Sequence, residues 1–109
     1  MTQRLPQHDE TLPTLHDVVL DEAAVDALFR DVAASPKLVG VAVKRAGGLH
    51  GEDAGADLLA ALSEARRALR EGAAFAVQLR YQRDGREWWD TLMRVPEGVR
   101  LVRIAHDPD

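Results

Sequence analysis

Between two runs of alternating apolar and polar residues, 75–82 and 87–93, the chain carries the dipeptide Asp84-Gly85. A two-residue hairpin loop that follows the natural strand twist needs positive φ at both positions in its type I′ form, and Asp-Gly accepts this at low cost. The pair predicts an antiparallel hairpin and fixes its register. Tyr81 then opposes Trp88, Arg80 opposes Trp89, Leu79 opposes Asp90, Val77 opposes Leu92 and Ala76 opposes Met93. Because successive side chains alternate, Phe75, Val77, Leu79, Tyr81, Trp88 and Leu92 share one face, the expected core. Gln78, Arg80, Gln82, Trp89, Thr91 and Met93 share the other. The adjacent tryptophans therefore point to opposite sides, unless a bulge turns both inward and Asp90 outward.

A third strand follows Pro96-Glu97-Gly98. Reading Gly98 as the left-handed residue of a three-residue loop sets Val95 against Val99 and Met93 against Leu101, and places Val102 and Ile104 in the core. A two-residue loop exchanges the two sets. Upstream, Val25, Leu28, Phe29 and Val32 have the i, i+3, i+4, i+7 spacing of a one-sided helix, with Asp21 and Glu22 suited to its start and Pro36 closing it. Leu58, Leu62, Ala65 and Leu69 form a second such stripe that ends at Gly72, a residue suited to the left-handed position after a helix. Arg66, Arg67 and Arg70, with Glu64 and Glu71, fall outside that stripe and read as its solvated face. Between the helices, Val39, Val41 and Val43 alternate with Gly40 and Ala42, a central strand approached closely on its second face. Residues 46–57 read as a glycine-rich connection, and the strands before and after the second helix are expected to run parallel through a right-handed crossover.

These elements make a two-layer α/β (α+β) sandwich, a mainly antiparallel sheet of four to five strands with two helices in the order (β)αβαβββ. The optional first strand is Leu15–Leu20. Residues 1–14, with two prolines and no periodicity, read as a flexible tail before a single domain over 15–109. At 109 residues one core is expected, and 46% hydrophobic with 29% charged residues is ordinary for a globular chain.

The absence of cysteine excludes disulfides, thiolate metal sites and thiol nucleophiles. No apolar run approaches a membrane span, and the first residues lack a secretory pattern, so the expected location is cytoplasmic. Twelve arginines against two lysines, with many alanines, point to a GC-rich bacterial genome. The net charge of −4 opposes non-specific nucleic-acid binding but leaves room for a local basic face.

If both helices cover the Trp88 face, the other is left with an apolar surplus. The expected interaction face is Arg80, Trp89, Met93, Val95, Val99, Leu101 and Arg103, and the expected role is a non-catalytic interaction or regulatory module, a homodimer or a partner of another protein. The first helix or the tail folding over Trp89 would make the same residues ordinary core. A second reading uses Arg80, Trp89 and Arg103 to stack and neutralise single-stranded nucleic acid, although RNP-type spacing is missing.

Asp90, on an otherwise apolar face and diagonal to His106, reads either as half of an acid/base pair or as a carboxylate held by an arginine. The second reading is preferred, because nothing else catalytic converges there. His50 with Glu52 and Asp53 matches no ligand spacing, and the 46–57 segment lacks both phosphate-loop patterns. His8 and His16, each beside an aspartate, offer no better set. No cofactor, metal or catalytic residue is assigned.

Overall fold

The computed structural model describes residues 14–34, 37–45, 47–53 and 57–106. The chain runs β1 (Thr14–Leu20), α1 (Glu22–Ala33), β2 (Leu38–Arg45), β3 (Gly48–Asp53), α2 (Leu58–Glu71), β4 (Ala76–Arg83), β5 (Arg86–Val95) and β6 (Gly98–His106). All six strands join one antiparallel sheet in the order β1-β6-β5-β4-β2-β3. The tail expected over 1–14 lies outside the described residues, except for Thr14, which opens β1.

Both helices start and stop where local chemistry provides for their free backbone groups. Asp21 accepts a hydrogen bond from the Ala24 amide at 2.8 Å and Asp57 one from the Ala60 amide at 3.0 Å, so each satisfies an amide that has no partner within its helix. Gly72, at φ +78°, closes α2 with its amide turned back to Leu69.

Both helices pack on the same face of the sheet. Val25, Leu28, Phe29 and Val32 from α1, with Leu62, Ala65, Ala68 and Leu69 from α2, close over Val41, Val43, Val77, Leu79, Tyr81, Leu92, Val99 and Leu101. The β4–β5 hairpin has the register that Asp84-Gly85 dictates, with φ +55° and +77° at the turn and no bulge at the tryptophans. Phe75 departs from expectation: it precedes β4 and is 63% exposed, while Ala74 takes the buried place beside α2.

Three further expectations are corrected. Residues 48–53 are a strand, β3, hairpinned onto β2 through Arg45 and Gly48. That reversal makes β4 antiparallel to β2, so the parallel crossover through α2 links β3 to β4 with β2 between them.

The β5–β6 loop has two residues, Pro96 and Glu97, with Val95 opposite Gly98. Gly98 sits within β6 at φ +150°, and a Cβ there would run into the Leu20 carbonyl oxygen. Its glycine serves a close approach by the end of β1 rather than a left-handed loop position. In consequence Leu92 opposes Leu101 and Asp90 opposes Arg103, so Val99, Leu101 and Arg103 lie on the helix-covered face. Val102 and Ile104 lie on the other.

Finally, Arg66 is not a solvated residue. It is 9% exposed, bonded through Nε to Asp26 of α1 at 2.8 Å and through Nη2 to the same oxygen, with its guanidinium 5.9 Å from the Phe29 ring.

Candidate interaction face

Five strands bring the exposed side of the sheet together. Pairing places Ile104, Trp89, Arg80 and Gly40 in one row across β6, β5, β4 and β2. The next row runs Asp17, Val102, Thr91, Gln78 and Ala42, and a third runs Val19, Arg100, Met93, Ala76 and Lys44. The large apolar groups gather on β5 and β6, interrupted by Thr91 and Arg100, while β4 brings Gln78 and Arg80 and β2 brings Gly40, Ala42 and Lys44. None of the core residues contributed by either helix faces this side.

Trp89 is held rather than loose. The Arg80 guanidinium lies 6.0 Å from its ring centre and the His106 ring 4.7 Å away at 50°, while its indole Nε1 donates to Glu87 at 2.7 Å. Arg80 has room because residue 40 is glycine: a Cβ there would meet the guanidinium. This is the close approach that the Gly40/Ala42 alternation implies. Gln78 donates to Thr91 across β4 and β5 at 3.2 Å, and Arg100 grips Asp17 with two bonds of 3.0 and 2.6 Å, fastening β1 to β6. The Arg100 bond holds the Asp17 carboxyl below the usual carboxylate range.

Of the residues expected on this face, Arg80, Trp89, Met93 and Val95 are present. Val99, Leu101 and Arg103 are replaced by Arg100, Val102 and Ile104, one position along in each case, with Val19 and His106 added. The signal that could have found them was the loop length, where Pro96-Glu97 competed with a three-residue reading.

Beneath the helices, Asp90 is fully buried. Arg103 donates to it through Nε and Nη2, both at 2.8 Å, and the Tyr81 hydroxyl donates at 2.9 Å. Burial, with the Asp90 carboxylate second, pushes the Tyr81 hydroxyl well above its ordinary range. His106 is on the opposite face of the sheet, so no Asp90–His106 acid/base pair forms. With Arg103 engaged below, the nucleic-acid set of Arg80, Trp89 and Arg103 is divided between the two faces as well.

The side chains of His50, Glu52 and Asp53 and all of His8 lie outside the described residues, and His16 is exposed on β1. No cluster of three potential metal ligands occurs among the described residues. At the hairpin end of the exposed face a cleft of about 570 Å³ is bordered by Lys37, Gln82, Arg86, Glu87, Trp89 and His106, and the buried His106 Nε2 has no hydrogen-bond partner among the described residues. No described helix is long and apolar enough to cross a membrane.

No family model matches the chain, and neither a curated protein nor a solved structure matches it.

Proposed function

We propose that this chain is a small non-catalytic interaction module that pairs with a second copy through the exposed sheet face. The observation that carries the reading is the one-sided placement of the helices, which leaves Trp89, Met93, Val95, Val102, Ile104 and Val19 on a face that neither helix covers. Contiguous apolar surface of this kind on a small protein marks association.

A second copy suits the pattern. The apolar half on β5 and β6 can face its own equivalent across a two-fold axis, with the polar β4 side at the rim. Six strands at about 4.8 Å spacing make a face roughly 25 Å wide, of the order that a stable interface requires. Trp89, oriented by Arg80, His106 and Glu87, is the anchor, since ordered aromatics concentrate binding energy at little further entropic cost.

Light scattering after size-exclusion chromatography tests this over a hundredfold concentration range. The expected mass is twice the chain's 12.0 kDa. Trp89→Lys and Ile104→Asp should each return it to one chain without loss of secondary structure. A chain that stays single throughout overturns the reading. A dimer that both variants leave intact moves the contact elsewhere, with the β1 edge the next surface to alter.

A further inference from the structure

The outer side of the helix pair carries a second feature that owes nothing to the sheet face. A groove of about 500 Å³ runs between α1 and α2, with Phe29, Leu59 and Leu62 along its apolar floor. Arg30, Arg66, Arg67 and Arg70 line it, and among the described residues no carboxylate does. On a chain of net charge −4 this is a local reversal of sign.

The four arginines are not equivalent. Arg66 is structural, joined to Asp26 and within 3.6 Å of Glu22, yet its buried Nη1 has no acceptor among the described residues. Arg67 is engaged along the α2 surface by Glu64 and Glu71. Arg30 and Arg70 form no ion pair among the described residues; their charge reaches Asp26 only at longer range, helping to hold its carboxyl low after the dominant Arg66 bond. Leu59, at the other end of the same α2 stripe, is 60% exposed. Two guanidiniums with no ion pair among the described residues therefore share the groove with an open leucine.

We infer that this groove docks an acidic amphipathic helix from a protein partner. Leu59 and Arg70 are eleven residues apart, about 16 Å of helix, which three turns of a ligand helix would span. A helix laid in the groove would set a leucine-like side chain on the exposed Leu59, over the buried edges of Phe29 and Leu62, and carboxylates at i, i+4 spacing against Arg30 and Arg70. Guanidinium–carboxylate pairs can be bidentate, which fixes register as well as attraction. A bare anion would use the arginines but has no need of the apolar floor. The floor is what favours a peptide.

The test is fluorescence anisotropy of a labelled 14-residue peptide, with Glu and Leu at helical spacing on one side and Ala elsewhere, titrated with the full chain at low salt. Saturable binding is expected, weakened about tenfold or more by Arg30→Glu, by Arg70→Glu and by Leu59→Ser, and lost when the peptide's Glu residues are Gln. Arg70→Gln, which removes charge without reversing it, should give an intermediate loss. Circular dichroism and the solution mass of each variant should match the parent, which separates this site from the sheet face.

Absence of saturable binding, equal affinity for the Gln peptide, or indifference to both arginine reversals overturns the inference. An oligothymidylate that binds more tightly than the peptide, and is weakened by the same reversals, overturns it too and marks the groove as a nucleic-acid surface.

Discussion

At the scale of single residues, the informative position is Asp90, which stands between Trp88 and Leu92 on the core face and is fully buried. A carboxylate there is tolerated because Arg103 and Tyr81 direct three donors at its two oxygens. Asp90→Asn keeps the shape and removes the charge, leaving the Arg103 guanidinium facing an amide. Breaking a buried pair by removing one partner costs about 3–5 kcal/mol. Because the Arg103 side chain is 29% exposed and can turn toward water, the lower end of that range is expected. Urea denaturation of Asp90→Asn should show this loss. Asp90→Leu combined with Arg103→Met and Tyr81→Phe should recover most of it, since replacing all three partners leaves neither an unpaired charge nor an orphaned hydroxyl. Recovery no better than the single change would mean that the pair is worth more than its desolvation.

At the scale of elements, legibility in the sequence followed how local the determining interaction was. The helices and the β4–β5 hairpin were legible because their signals lie within a few residues: Asp21 at the start of α1, Gly72 as terminator of α2, and Asp84-Gly85 as a turn that fixes eight strand pairs. The failures have non-local causes. Gly98 looks like a loop glycine in sequence, but what requires it is the Leu20 carbonyl from a strand 78 residues earlier. That single ambiguity moved Val99, Leu101 and Arg103 from one face to the other. In the same way β3 is glycine-rich and acidic, and what makes it a strand is the β2 edge beside it. Of the residues expected to share that side of the sheet, those placed by Asp84-Gly85 lie on it, and those placed by Gly98 lie on the other.

Substitution tests the Gly98 account directly. Gly98→Ala forces a φ that side-chain-bearing residues avoid and pushes the β1 end away, so a loss of about 1–3 kcal/mol is expected. Gly47→Ala, where nothing approaches an added Cβ, should stay within about 0.5 kcal/mol of the parent. Equal losses at the two positions would show that the β1 contact is not the reason for the glycine.

Across the whole molecule, arginines cross-link elements far apart in sequence. Arg100 joins β6 to β1 through Asp17, Arg66 joins α2 to α1 through Asp26, and Arg45 joins β2 to α2 through Glu64. Arg94 joins β5 both to α1 through Glu22 and to the α2 end through the Leu69 carbonyl. Arginine stays protonated at any ordinary pH, so the titrating side of these links is the carboxylate. Hydrogen bonds from Arg100, Arg66 and Arg67 hold Asp17, Asp26 and Glu64 below the usual carboxylate range. The unfolded chain therefore binds more protons than the folded one in the window between the lowered and the ordinary values. Their contribution is fully present above the ordinary range and is lost as pH falls through the lowered values.

The expected stability profile, read from urea midpoints, is nearly flat from neutral pH to about pH 5 and falls below it. Asp17→Asn with Asp26→Asn should lower the neutral plateau and make the acid limb shallower, because two of the groups responsible no longer titrate. A double variant with an unchanged acid limb would assign the pH dependence to other carboxylates and reduce these two links to surface pairs of little consequence, as exposed ion pairs often are.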